Sequence, residues 1–196
     1  MTRELPLLDA APRERRDAAR NRRALLDAAV ALMRDGCGVE AITMDAVAAH
    51  AGVGKGTVFR RFGSREGLMA SLLDHREAEW QAAVISGPPP LGPGAEPMER
   101  LLAFGRARIR LHLEQGALIE AAGRTWGENH AVVGFATMHV RLLLQQLGVR
   151  GNLPYLATAL IAPLSLPFLR QQVEHLGMTE EQVHHAWTEL VHRVVG

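Results

Sequence analysis

VEAITMDAVAAHAGVGKGTVFRRFGSREGL, residues 39–68, decides the fold. Thr43 has the side chain of an N-cap, and the short small-residue run Ala46, Val47, Ala49 behind it suits a helix that meets another closely. Gly52 lets the chain reverse, and Val53 can fill the angle between two helices. A second helix is expected over 54–62, anchored by Val58, Phe59 and Phe62. Gly63 ends it, and Ser64 caps the next. Two glycines in the first turn, Gly54 and Gly56, are poor helix formers. They suit a helix front whose backbone must come close to something. This is the outline of a helix-turn-helix, whose second helix enters the major groove of DNA by its N-terminal end.

The surroundings fit that outline. Residues 1–65 carry 12 basic and 8 acidic side chains, a net of +4, whereas 66–196 carry 10 and 13, a net of −3. A basic first third suits a polyanion. Lys55 is the only lysine in 196 residues; the other 21 basic residues are arginines. At the front of the second helix it is placed for a guanine edge or a phosphate. Thr57 can donate to a phosphate or rest its methyl on thymine. Arg60, Arg61, Arg65 and Thr43 are placed for phosphates.

Upstream, residues 1–15 read as a flexible basic arm. A helix follows, with Arg20, Arg22 and Arg23 outside and Leu25, Ala29, Leu32 and Met33 inside, ending near Gly36. Downstream the pattern stays helical. Helices are expected over 65–85, 98–115, 117–122, 130–147, 153–176 and 179–195. The Pro- and Gly-rich run 86–97 is a loop. Pro163 and Pro167 should kink the helix they sit in. Thr179 and Gln182 have the spacing of a capping box. No strand pattern stands out, so the fold class is all-α with about nine helices.

Several chemistries are excluded. GVGKGT lacks the spacing of a phosphate-binding loop and follows no strand. The nine histidines form no metal-ligand pattern, the lone Cys37 has no catalytic companion, and no nucleophile elbow is present. Neither an enzyme, a metal nor a cofactor is expected. With one cysteine and no long apolar run, a cytoplasmic protein without a membrane anchor is expected.

From about Arg20 to Leu73, with AGVGKGTVFRRFGSREGL as the specific core, the chain resembles the TetR family of bacterial transcriptional regulators. The resemblance implies an N-terminal three-helix DNA-binding domain, residues 16–63. A larger helical ligand-binding and dimerisation domain would follow, residues 64–196. It implies a homodimer on a pseudo-palindromic operator, acting as a repressor released by a small-molecule effector. The family's DNA contacts fall on Lys55, Gly56, Thr57, Phe59, Arg60 and Arg65, with Thr43 and Asp45 on the preceding helix. This chain departs at two of these. Phe59 replaces a common tyrosine and loses its hydroxyl. Asp45 stands where a basic residue is frequent, so its carboxylate must accept from a cytosine amino group, pair with an arginine or cap its helix. These departures leave a second reading open, a ligand-binding or interaction module that has lost DNA binding.

The same resemblance places a dimer interface on the last two long segments, at Leu156, Leu160, Leu164, Phe168, Val183, Trp187, Leu190 and Val194. It places an effector pocket among the middle helices, for which Trp80, Phe104, Arg108, His112, Trp126, Phe135, His139 and Tyr155 are candidates. Rings with a few polar groups suit a mainly apolar ligand.

Overall fold

The computed structural model describes residues 13–34, 38–123 and 130–196. Gly36, Cys37 and Trp126 lie outside the described residues. Nine α-helices occupy the described chain: α1 Arg13–Leu32, α2 Met44–His50, α3 Lys55–Phe62, α4 Arg65–Ser86, α5 Pro97–Ala121, α6 His130–Gln146, α7 Leu153–Ile161, α8 Leu166–Arg170 and α9 Glu180–Val195. The fold is all-α, with an N-terminal helix-turn-helix.

The chain divides into two compact units, one up to Leu72 and one from Leu73. The first was expected to stop at residue 63. It extends further because the start of α4 belongs to its core: Leu68, Met69 and Leu72 are buried, and Arg22 donates to Ser71 Oγ at 2.9 Å. The arm expected over 1–15 gives way to helix at Arg13.

Within the first unit the turn chemistry is local. Thr43 Oγ1 accepts from Ala46 N at 3.0 Å and starts α2. Gly52 takes φ +65°, and Val53 N then reaches back to Ala48 O at 3.0 Å, closing the turn. That left-handed step suits glycine and strains other residues. Val58 and Phe62 go inward as expected. Val53 and Phe59 do not: they stand 38% and 42% exposed.

In the second unit α5 corrects an expectation. It runs unbroken through Gly116, where separate helices over 98–115 and 117–122 were expected. Gly116 is on the buried face beside Leu166 and Arg170 of α8, where an added Cβ would make ordinary contacts at 3.4–3.5 Å. The 153–176 segment departs in the other direction. It breaks into α7, a 3-10 turn over Ala162–Leu164, α8 and a π-helical turn over Gln171–His175. Pro163 and Pro167 each sit in the first turn of a new short helix, where a missing N–H removes no hydrogen bond. Ser165 is extended between them. The capping box of Thr179 and Gln182 is present in both directions, at 3.2 and 2.8 Å.

The core of this unit is built from Leu101, Phe104, Ile109, Val140, Leu143, Leu144, Leu160 and Leu164, closed by Val183, Trp187 and Val191 of α9. Trp187 Nε1 donates to Leu160 O at 2.8 Å. No single described helix is long and apolar enough to cross a membrane. Residues 153–164 and 166–175 pass that test only as a pair bent by 47°.

Candidate nucleic-acid interface

The surface of the first unit presents the N-terminal half of α3. Gly54 is its N-cap and has no side chain to accept from the first-turn N–H groups. Those groups and the helix dipole make the front of α3 electropositive. Lys55 is the first helical residue and is exposed. Gly56 is exposed, and a Cβ added there would meet nothing within 4 Å. Thr57 is half-buried, and Arg60 and Arg61 are exposed.

Asp45 lies beside them. Its Oδ2 is 2.7 Å from Lys55 Nζ, joining the first turn of α2 to the first turn of α3. The carboxylate therefore pairs with the lysine, and not with the arginine considered from sequence. Lys55 Nζ also stands 5.7 Å from the centre of the Phe59 ring. Phe59 is thus part of the exposed face and holds a cation over its ring, an interaction between charge and aromatic quadrupole.

Arg65 and Arg61 also make contacts within the unit. Arg65 is half-buried. Its Nε donates to Ile42 O at 3.1 Å and its Nη2 to Val39 O at 2.9 Å, so it clamps the 3-10 turn that leads into α2. Two backbone carbonyls hold its planar fork. Arg61 Nη2 donates to Ala18 O at 2.7 Å, tying α3 to α1. Arg60 stays outward, with a long 3.5 Å contact to Thr57 Oγ1. Sequence reasoning missed Arg22 as a packing residue, although it lies 5.9 Å from the Phe62 ring centre and bonds Ser71.

The effector candidates all lie in the second unit, and most of the described ones assemble. Trp80 and Phe104 rings are 5.0 Å apart, Trp80 and Phe135 5.8 Å, and Phe104 stacks on His139 at 5.2 Å. Arg108 lies 4.6 Å over Trp80 and pairs with Glu77 at 2.7 Å, both side chains nearly buried. Glu77 was not anticipated. A buried guanidinium requires a counter-charge, and Glu77, three residues before Trp80, is on the right face of α4 to supply it. Burial pushes His112 down to about 3, with Arg108 adding to the effect, while its hydrogen bond to Leu164 O opposes it. That carbonyl accepts, so Nδ1 carries the proton. His139 is pushed down to about 4, first by burial and then by Arg100. Trp80 Nε1 and His139 Nε2 are buried with no hydrogen-bond partner among the described residues. Tyr155 does not join the group; it is 72% exposed. A groove of about 300 Å³ lined by Ala103, Arg106, Ala107, Arg110, Leu111 and Glu114 shares only Trp80 with the candidates.

The interface candidates divide. Leu160, Leu164, Val183 and Trp187 are buried in the chain's own core and offer no surface to a second copy. Leu156, Leu190 and Val194 are half-buried. Phe168 is 57% exposed. Periodic apolar residues serve a core and an interface alike, which is why the sequence did not separate them.

Residues 25–72 match the family model for bacterial regulatory proteins of the tetR family. Its end coincides with the end of the first unit. Among solved structures, one assigned to the TetR family from Rhodococcus sp. aligns with a TM-score of 0.55 at 14% identity, covering 91% of this chain and 100% of that one. Another so assigned, from Mesorhizobium loti, aligns at 0.58 and 18% identity, covering 88% and 95%. A third, solved in work on the control of antibiotic production by bacterial hormones, aligns at 0.58 and 20% identity, covering 87% and 93%. At these identities the alignments speak for the fold. No curated protein matches the chain. The helix-turn-helix, the basic front of α3 and the family match fall in one place, so the first unit is similar to the DNA-binding domain of bacterial regulatory proteins of the tetR family.

Proposed function

We propose that this chain is a transcriptional regulator of the TetR family, a repressor that binds a pseudo-palindromic operator as a homodimer and is released by a small, mainly apolar effector. The observation that carries the DNA half is the front of α3. Lys55, Phe59 and Arg60 are exposed together on a helix whose N-cap supplies no side-chain acceptor. Exposed aromatic and cationic groups at one helix front suit base edges and phosphates better than they suit water. Thr43, Gly56 and Thr57 complete the reading surface.

Support for a second copy is the set of large apolar side chains left in solvent on and beside α7 and α8: Tyr155, Phe168 and Leu176. A second copy packed there would take these side chains out of water. Support for the effector is the ring cluster around Trp80. The indole N–H and the His139 Nε2 are polar atoms without partners in an otherwise apolar setting. An apolar molecule carrying one hydrogen-bond acceptor suits that cluster.

The test is selection from random duplexes with the full-length chain at physiological salt. Enrichment of a sequence with two-fold related halves supports a dimeric reader. Enrichment of nothing would favour the module that has lost DNA binding. A reporter driven through the enriched sequence then separates repression from activation. Release of the duplex by apolar compounds that raise the unfolding temperature tests the effector.

A further inference from the structure

The ion pair between α2 and α3 has an odd location. A carboxylate at the face of a DNA reader repels phosphate, yet Asp45 is exposed there and holds the chain's only lysine. An exposed pair of this kind contributes little to stability, so stability gives a weak reason for it. Hydrogen-bonding capacity gives a better one. A lysine ammonium has three N–H donors and a carboxylate about four acceptor positions. One donor and one acceptor position are used at 2.7 Å. Two donors and several acceptor positions remain, side by side, on groups that are both more than half exposed.

In the major groove a G·C pair offers two acceptors, guanine N7 and O6, then one donor, the cytosine amino group. An A·T pair offers acceptor, donor, acceptor. Two donors followed by an acceptor complement the first order and clash with the second. We infer that Asp45 and Lys55 read one G·C pair in each half-site as a joint unit. Lys55 donates to guanine N7 and O6, and Asp45 accepts from the cytosine amino group. Asp45 is thereby a specificity-determining residue. It also keeps Lys55 from settling on a phosphate, which is where an unpaired lysine gives affinity without sequence information. The inference rests on the DNA-reading proposal above.

The experiment compares the wild-type chain with Asp45→Ala, which removes every side-chain acceptor at this position, in selection from random duplexes, followed by titration at several salt concentrations. The wild-type chain should enrich a G·C pair at one position per half-site. The substitution should cut the preference there by roughly tenfold, the scale of a good base contact. It should bind an unrelated duplex more tightly. Its slope of log affinity against log salt should steepen by about one per subunit as Lys55 moves to a phosphate. A second arm leaves the protein's fold untouched. Replacing that cytosine by 2-pyrimidinone, which lacks the amino group, should weaken wild-type binding by about the same tenfold and leave Asp45→Ala indifferent. A third arm exchanges the charges, Asp45→Lys with Lys55→Asp. A merely structural pair is restored by the exchange; a reading unit is not, and the G·C preference stays lost. Enrichment of the same base with the same salt slope by Asp45→Ala, an A·T pair at the position, or rescue by the exchange overturns the inference alone. A wild-type chain that enriches nothing overturns the DNA-reading proposal itself.

Discussion

Gly56→Ala separates a glycine kept for DNA from one kept for packing. Gly56 lies in the first turn of α3, and a Cβ built on it meets no atom within 4 Å. Its φ is outside the left-handed range, so alanine fits without strain. In a helix, alanine is favoured over glycine by roughly 0.5–1 kcal/mol. With nothing to clash against, that whole difference should appear as added stability. At a urea dependence of about 1–3 kcal/mol per molar, the unfolding midpoint should rise by about 0.2–1 M. DNA binding should move the other way. The added methyl stands on the exposed front of the helix, where the backbone must approach base edges or phosphates. Holding the helix off by a methyl radius disturbs at least one direct contact, worth about 1–3 kcal/mol, or roughly 5- to 150-fold in affinity. Urea unfolding followed by circular dichroism and fluorescence anisotropy on the selected duplex measure both. A stabilised variant that binds DNA as well as the wild type refutes close backbone approach at Gly56. A destabilised variant refutes the open surroundings assigned to it.

Two further predictions concern the second unit. A Cβ at Gly105 would lie 2.1 Å from the Trp187 ring, so Gly105→Ala should displace the indole, strain its bond to Leu160 O and destabilise by about 1–3 kcal/mol; calorimetry checks this, and the added substitution Trp187→Leu should recover part of the loss. The pH dependence follows from the buried histidines. His112 and His139 are held near 3 and 4 in the fold against about 6.5 in the unfolded chain, so the unfolded chain binds more protons between these values. Stability is therefore full above about pH 6.5 and falls as the pH drops toward the folded values, by up to about 1.4 kcal/mol per pH unit for each histidine. Urea midpoints between pH 7.5 and 5 measure the slope, and His112→Gln should make it shallower.

Local chemistry was legible in the sequence. The Thr43 cap, the Gly52 turn, the capping box of Thr179 and Gln182 and the Pro- and Gly-rich loop each depend on residues within a few positions of one another. Helix content followed from periodicity for the same reason. What escaped depends on contacts across the chain. The unbroken run of α5 through Gly116 was not legible because the Leu166 and Arg170 it packs beside are fifty residues away. Pro163 and Pro167 announced disruption but not its form, which is set by where Leu164 and Leu169 must be buried. That Arg65 is held by the carbonyls of Val39 and Ile42 was not legible, because those residues lie more than twenty positions away in sequence. The pairing of Asp45 with Lys55 spans the turn and becomes visible only when α2 and α3 are set side by side.

The central claim is that the exposed front of α3 reads DNA through Lys55. Its most direct test is titration of the wild-type chain and Lys55→Ala onto the selected duplex and an unrelated one at physiological salt, with dimerisation followed by sedimentation. The expected result is a loss of tenfold or more on the selected duplex, the scale of a lysine contact to guanine, with a small change on the unrelated duplex and an unaltered oligomeric state. Equal binding of the selected duplex by both proteins would contradict it.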